Sequence, residues 1–256
     1  MAAPFVDDLL ACLRFYSRLP VPAPQGHDMP DFRTAVRALP VAGGLIGACA
    51  ALALLGARAF GLPPYLAAAL AVAALIAVTG ALHEDGLADL SDGFGGGATR
   101  AEKLEIMRDS RLGSYGAIAL ILSLTLRIAA LAGAAERSAL EAAAILVFVA
   151  ALSRTAGLAP IMILTPARAD GAGHAAMRPF QTALRSAAML AAAFALLPLV
   201  AGASLSAVTL AGLGAIGAAY AAAKLAERQI GGLTGDVMGA AQQTAEIASL
   251  LAFAAR

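Results

Sequence analysis

The sequence predicts an all-α, polytopic integral membrane protein, and two observations carry that prediction. The 256 residues are 60% hydrophobic and only 14% charged, with a mean hydropathy of +0.79, whereas soluble domains carry about 25% charged residues. Apolar runs of about 20 residues, long enough to cross a bilayer, recur along the chain. We expect these runs to form one integral membrane catalytic domain over residues 1–256.

Seven apolar runs are the predicted membrane helices. They cover residues 39–57, 64–82, 113–133, 139–163, 187–203, 205–223 and 237–254. The fifth and sixth runs lie close enough together to form a tight hairpin near Gly202. The seventh is the least regular, because Gln242, Gln243 and Glu246 interrupt it. These polar residues predict that the last helix lines a wet cavity.

The basic residues predict how these helices are oriented. Lys and Arg accumulate in the cytoplasmic loops of membrane proteins, and thirteen of the 18 basic residues here fall on one predicted side, against three on the other. The thirteen lie in segments 1–38, 83–112, 164–186 and 224–236. We therefore expect a multi-pass protein of the cell inner membrane, embedded in the lipid bilayer, with its N-terminus and its site in the cytoplasm. A net charge of +1 argues against a nucleic-acid partner.

The densest polar stretch is an acidic run from His83 to Gly93, which begins where the second apolar run ends. Carboxylates at the mouth of a membrane segment are costly unless they bind something. Asp85, Asp89 and Asp92 have the spacing i, i+4, i+7, which places all three on one face of a helix. Three adjacent carboxylates repel one another, and Mg²⁺ removes that repulsion and prefers oxygen ligands. The sequence therefore predicts that these aspartates ligate Mg²⁺ and act in catalysis.

The other members of the run lie off that helical face. His83 is a candidate general base or hydrogen-bond donor to a phosphate, with a polar cap as the alternative. Glu84 is expected to be solvated. Gly93 and the glycines 95–97 predict a flexible loop whose backbone amides could hold a phosphate. A plain linker is the alternative for that loop.

Charged residues elsewhere on the predicted cytoplasmic side are candidates for binding an anionic substrate. Arg108, Asp109 and Arg111 follow the acidic run, and two arginines beside a metal site suit a pyrophosphate. A basic anchor at the membrane edge is the alternative. Arg154 lies within the fourth apolar run, where a guanidinium needs a partner, either an acid of the cluster or Glu246.

Arg168 and Asp236 complete the predicted substrate-binding set, since both lie in polar turns on the same predicted side. Arg127 has no polar neighbour in the sequence, so snorkelling or a structural ion pair is as plausible there as a functional role. A metal, arginines and glycines at one membrane face together indicate phosphoryl or nucleotidyl transfer.

Several motifs together resemble the cobalamin synthase family. The long motifs are His83-x-Asp85-Gly86-Leu87-Ala88-Asp89-x-x-Asp92-Gly93, Ile106-Met107-Arg108-Asp109-Ser110-Arg111-x-Gly113 and Gly232-x-Thr234-Gly235-Asp236-x-x-Gly239-Ala240. Shorter matches lie at Ser17–Pro22, at Ser153-Arg154 and at Ala167-Arg168-x-x-Gly171-x-Gly173. The resemblance runs almost end to end with its order kept, which makes the set specific where one motif alone is not.

The resemblance implies a Mg²⁺-dependent membrane enzyme of the last stage of cobalamin assembly. Such an enzyme transfers the adenosylcobinamide phosphate group of adenosylcobinamide-GDP to α-ribazole, or to its 5′-phosphate, and releases GMP. From the chemistry, we assign the three aspartates of the acidic run to Mg²⁺ on the pyrophosphate, and Arg108 and Arg111 to phosphate. The ribazole 5′-oxygen would attack phosphorus, and His83 or an aspartate would take its proton.

Two other classes of protein are alternatives. The stretch Asp89–Gly93 matches the opening of the CDP-alcohol phosphotransferase motif, but the Ala-Arg expected after it and the later Gly-x3-Asp-x3-Asp are missing. A cation transporter would hold its acids near the middle of the bilayer, whereas these acids lie at one predicted face. The sequence leaves open the preferred acceptor, the identity of the base and the oligomeric state.

Overall fold

The computed structural model describes residues 5–22 and 30–255, and within these ranges the regular structure is helical. The helices are α1 (Phe5–Tyr16), α2 (Phe32–Ala35), α3 (Leu39–Ala59), α4 (Pro64–Thr79), α5 (Leu82–Gly96), α6 (Arg100–Ile106), α7 (Ser114–Arg137), α8 (Ala139–Ala156), α9 (Ala159–Ile163), α10 (Gly171–Ala175), α11 (Gln181–Phe194), α12 (Leu196–Val200), α13 (Leu205–Ile230) and α14 (Gly235–Ala254). A 3₁₀ turn, Val36–Ala38, joins α2 to α3. The all-α prediction is confirmed.

Five segments of the described chain are long and apolar enough to cross a membrane. They are Phe32–Ala59, Ser114–Arg137, Ala139–Ile163, Gln181–Val200 and Leu205–Ile230. The short connection predicted between the fifth and sixth runs is present, since α12 ends at Val200 and α13 begins at Leu205, but α13 packs mainly on α14 and the tight hairpin stays a prediction. The chain is therefore a multi-pass membrane protein, with five such segments where the sequence predicted about seven spans. A sixth span arises only if the bent pair of α4 and α5 is taken together.

The predicted span 64–82 differs because the chain bends sharply at Gly80 and Ala81. Both residues have positive φ, 64° and 60° respectively. Gly80 ends α4 in the left-handed conformation that glycine adopts without steric cost. Helix α5 then leaves α4 at 90°. The bend turns the acidic run out of the apolar segment, so α5 lies outside the five spans.

The predicted span 237–254 is helix α14, which lies at the centre of the helix packing. It contacts α5, α7, α8 and α13, and its polar side chains Gln242, Gln243 and Glu246 are buried. Because those side chains hydrogen-bond inside the protein, α14 does not need the apolar surface that a lipid-facing helix requires. This packing accounts for the polar residues of α14.

Helices α3 and α8 pack together along much of their lengths through small residues. A Cβ placed at Gly43 would lie 2.6 Å from the carbonyl oxygen of Ala150, and one at Gly47 would lie 2.7 Å from the Cβ of Ala150. Glycine therefore permits an approach that a side chain would prevent. The spacing of the two glycines predicts such close packing, and the structure confirms it.

This contact gives a stability prediction with a control in the same helix. Gly43→Ala is expected to destabilise the protein by about 1–3 kcal/mol, because the new methyl group meets backbone of α8. Gly56→Ala should be neutral or stabilising by up to about 1 kcal/mol, because a Cβ there meets nothing within 4 Å and alanine favours helix. Thermal unfolding in detergent measures both variants, and an equal loss in both would contradict the packing argument.

Candidate active site

Helices α5 and α14 bring the acidic groups together by crossing closely at glycines. A Cβ at Gly86 would lie 3.1 Å from the Cα of Asp236 and 3.2 Å from the Cα of Gly239. The missing side chain lets the two backbones touch. As a result Asp236, in the first turn of α14, lies close enough to Asp85 and Asp89 on α5 for their charges to interact.

Asp89 lies close to the other carboxylates of the site, and their charges affect its pKa. Partial burial, followed by the charges of Asp85, Asp236 and Asp92, raises the pKa of Asp89 to about 7, and Arg168 opposes this effect. Burial likewise raises the pKa of Asp236, against the lowering influence of Arg168. Acids that destabilise one another in their ionised forms make a site that a cation stabilises.

Asp92 lies on the same helix, but its carboxylate has other partners. Its two oxygens accept hydrogen bonds from the backbone N–H groups of Gly113 and Gly116, each at 2.8 Å. These amides begin α7, where a carboxylate is also stabilised by the helix dipole. Within residues 5–22 and 30–255, no three carboxylate, imidazole or thiolate groups are arranged to hold one metal ion. The structure thus brings Asp85 and Asp89 to Asp236 and uses Asp92 to fasten α5 to α7.

A first cavity, of about 170 Å³, opens beside these acids between α1, α5, α8 and α14. Asp85, Asp236 and Gln242 contribute polar groups to its wall. Arg154 also lines it and is buried, with Nη1 donating to the carbonyl oxygen of Ala150 at 3.0 Å. The Nε of Arg154 has no partner in the described part of the chain. The predicted pairing of Arg154 with an acid is not formed there, so its guanidinium retains unpaired donor capacity at the cavity wall.

His83 lies in the same cavity wall, buried against α1. Its ring stacks on Tyr16 with a centroid distance of 5.8 Å and an angle of 5° between the planes. Burial, and then the positive charges of Arg154 and Arg127, lower the pKa of His83 well below its ordinary value. A neutral imidazole of such low basicity is a weak general base at neutral pH, which favours a hydrogen-bonding role.

Asp170 links Arg108 and Arg168 near the acidic residues, and the sequence did not single it out. Arg108 donates from Nη2 to both carboxylate oxygens of Asp170, at 2.9 and 2.8 Å. Arg168 lies 3.4 Å from the same carboxylate and 3.8 Å from Asp236. Arg108, Asp170, Arg168 and Asp236 thus form one chain of charges. The only signal for Asp170 was its place two residues after Arg168, in a motif position that was left unassigned.

Asp109 and Arg111 pair with each other rather than with the acidic cluster. The Nε of Arg111 donates to a carboxylate oxygen of Asp109 at 2.9 Å, and the Arg111 side chain is 87% exposed. Hydrogen bonds from Arg111 lower the pKa of Asp109 to about 2. The predicted role of this pair in binding phosphate stays a prediction.

The glycine-rich segment after the acidic run is helical, so the predicted loop is wrong. Helix α5 continues to Gly96, and Gly97 is its cap. A Cβ at Gly95 would lie 2.4 Å from the ring of Tyr115, and one at Gly97 would meet Lys103. These glycines serve close packing against α6 and α7, and no free row of amides is available to hold a phosphate.

A buried ionic cluster corrects the prediction for Glu84 and confirms one alternative for Arg127. Glu84, expected to be solvated, is 6% exposed, and Arg127, for which a structural ion pair was one alternative, is fully buried. Arg127 contacts Glu84 at 2.8 Å and Glu246 at 2.7 Å. Gln243 also donates to Glu84, at 3.2 Å. The face of α5 opposite the aspartates therefore points into the protein, and this cluster joins α5, α7 and α14.

The comparisons with known proteins agree with this geometry. A family model described as cobalamin-5-phosphate synthase matches residues 8–254. Three relatives are named adenosylcobinamide-GDP ribazoletransferase. The one from Azorhizobium caulinodans is 50% identical over 95% of this chain and 94% of its own, that from Xanthobacter autotrophicus 48% over 96% and 94%, and that from Rhizobium johnstonii 46% over 98% and 97%. No solved structure matches the chain. The resemblance seen in the motifs is confirmed: the chain belongs to the cobalamin-5-phosphate synthase family.

Proposed function

We propose that the chain transfers the adenosylcobinamide phosphate group of adenosylcobinamide-GDP to α-ribazole, or to its 5′-phosphate, and releases GMP. The observation that carries this proposal is the meeting of Asp85, Asp89 and Asp236, from two helices, beside a cavity that Asp85, Asp236 and Arg154 line. The names of the relatives supply the substrates. The reaction belongs to the last stage of cobalamin biosynthesis.

The proposed reaction exchanges one phosphorus–oxygen bond for another. A hydroxyl oxygen of the acceptor ribose bonds to the phosphorus on the cobinamide side of the pyrophosphate. The bond from that phosphorus to the bridging oxygen breaks, GMP leaves with that oxygen, and the hydroxyl proton passes to a base or to water. The 5′-oxygen expected from the sequence is free only in unphosphorylated ribazole. A secondary ribose hydroxyl is therefore the nucleophile that both acceptors offer.

The donor set at the site fits Mg²⁺. Mg²⁺ prefers oxygen ligands and is usually held by one or two carboxylates, several waters and the substrate phosphates. Asp85 and Asp89, with Asp236 facing them, supply such carboxylates, so a complete cage of three protein ligands is not required. When bound, the ion offsets negative charge on the pyrophosphate and on the transferring phosphoryl group.

The remaining steps use side chains of the protein itself. Arg154 at the cavity wall and Arg168 beside Asp236 can donate to pyrophosphate oxygens. Phe15, Tyr16 and other apolar residues form most of the first cavity, and a lining of this kind limits the access of water. Exclusion of water favours transfer to the acceptor over hydrolysis.

We further propose that the site faces the cytoplasm from the inner membrane. The basic residues that predict this orientation occupy the same segments as the site, including α6 and the turn that contains Arg168. A cytoplasmic site receives a charged nucleotide-linked substrate without moving it across the bilayer.

The direct test uses the full chain purified in detergent. With adenosylcobinamide-GDP and α-ribazole or its 5′-phosphate, GMP is expected to appear in the presence of Mg²⁺ and to stop when a chelator removes the ion. Resumption of turnover after excess Mg²⁺ is added back is the control. Ion flux in liposomes without GMP release would contradict the proposal and indicate a transporter. CMP release from a CDP-alcohol would contradict it and indicate a CDP-alcohol phosphotransferase.

A further inference from the structure

A second cavity, of about 720 Å³, lies between α1, the segment that follows it and the bend from α4 to α5. Its volume is in the range of sites for small ligands, about 300–1,000 Å³. Phe15, Leu82 and Asp85 line both this cavity and the first one. The two cavities therefore meet at the acidic cluster.

Two arginines line the second cavity without a carboxylate partner in the described part of the chain. Arg14 donates from Nη1 to the carbonyl oxygen of Pro22 at 2.8 Å, which leaves its other donors available. Arg18 makes no ion pair or side-chain hydrogen bond among the described residues. Both therefore differ from Arg108 and Arg168, whose charges are offset by Asp170.

The backbone around Arg18 fixes it in the cavity wall. Its N–H donates to the carbonyl oxygen of Val78 at 2.7 Å. Its guanidinium lies against Gly80, where a Cβ would be 2.4 Å from the Arg18 Nε. The position of the side chain therefore depends on the same glycine that forms the bend. A guanidinium placed in this way, without a carboxylate, is suited to a phosphate.

The rest of the cavity supplies an apolar surface. Phe15, Leu19 and Val21 line it, whereas the hydroxyl group of Ser17 is already used, donating to the carbonyl oxygen of Leu13 at 2.6 Å. The lining thus combines two arginines, several apolar side chains and the carboxylate of Asp85. This pattern matches a ligand with a phosphate at one end and a flat base.

We propose that the second cavity is the acceptor site. Arg14 and Arg18 bind the phosphate monoester of a nucleotide-sized acceptor, the apolar wall takes its base, and its ribose lies toward Asp85. The inference rests on the proposed function and assigns a place to the second substrate of the same reaction. The pyrophosphate group of the donor substrate then lies at the first cavity, which shares Asp85 with the second.

The test compares two acceptors in the full chain. Arg14→Gln and Arg18→Gln are expected to raise the KM for α-ribazole 5′-phosphate by at least about tenfold, because each loses a charge-assisted hydrogen bond, with kcat little changed. The KM for unphosphorylated α-ribazole should stay the same, and Arg18→Lys should recover part of the loss. Arg228→Gln, at an exposed arginine of α13, is the matched control. Equal changes for both acceptors, or no change for either, would overturn the proposal.

Two further measurements are needed. One tests the acceptor site independently of the proposed function, and the other distinguishes an acceptor phosphate from a lipid headgroup. Calorimetric binding of α-ribazole 5′-phosphate to wild type and to Arg18→Gln tests the cavity even if no GMP is released, so failure of the proposed function is distinguishable. Wild type should bind and the variant should bind at least about tenfold more weakly. If instead the variants lose affinity only for phosphatidylglycerol vesicles, relative to phosphatidylcholine vesicles, the arginines bind lipid headgroups and the acceptor site is refuted.

Discussion

Asp89→Asn is expected to lower the rate of GMP release by roughly 100-fold or more, because several kcal/mol of charge stabilisation in the transition state depend on the acidic cluster. The fold should be retained. Asp89 makes no ion pair among the described residues, and its neutralisation relieves repulsion from Asp85 and Asp236. Thermal stability in detergent should therefore be unchanged or slightly higher. Persistent turnover with intact Mg²⁺ dependence would remove Asp89 from the site.

Two variants of the same chemical type serve as controls for Asp89→Asn. Asp7→Asn changes an exposed carboxylate at the start of α1, and both rate and stability should match wild type. Asp92→Asn places an amide NH₂ where the carboxylate accepts two backbone hydrogen bonds from α7, so its main effect should be lower thermal stability. The pair Asp89 and Asp92 thus separates a role in chemistry from a role in joining helices.

Arg127→Met is expected to be the most destabilising single change, costing about 3–5 kcal/mol. The substitution leaves Glu84 and Glu246 buried with no cation between them, and an uncompensated buried charge is more costly than the loss of the pair itself. For a chain of this size the loss corresponds to a fall in Tm of at least about 6 °C. Differential scanning of the protein in detergent measures it.

The controls for Arg127→Met separate loss of charge from loss of volume. Arg228→Met makes the same substitution on an exposed face of α13 and should shift Tm little. The triple variant with Glu84→Gln and Glu246→Gln removes both uncompensated carboxylates and should regain part of the lost stability. If the triple variant is no more stable than Arg127→Met, the ionic cluster is not the source of the effect.

Local patterns predicted the helices well, because hydrophobic length and small-residue spacing act within one segment. The helix α3, the short connection before α13 and the packing at Gly43 follow from such patterns. The sequence predicts only part of the bend. Gly80 is a typical helix terminator, but a positive φ is uncommon for alanine, so the conformation of Ala81 could not be predicted from its residue type.

The sequence singled out most residues of the candidate site, but it did not predict how they are arranged. Helical phase correctly separates Glu84 from the aspartates, but phase cannot say whether the opposite face meets water or Arg127. Asp236 joins the acids only because α5 and α14 cross, about 150 residues apart in the chain. The partners of Asp92 are backbone amides, and these carry no signature in the sequence.

The bend at Gly80 has a consequence for how this sequence can change. A side chain at position 80 would have to adopt a left-handed conformation, with φ near 64°, and would also collide with the guanidinium of Arg18. Backbone strain and the contact with Arg18 therefore both disfavour a side chain at position 80. Movement or shortening of the flexible Arg18 side chain would relieve the contact, but the left-handed backbone strain would remain. Glycine is therefore expected to persist at position 80 whatever residue occupies position 18.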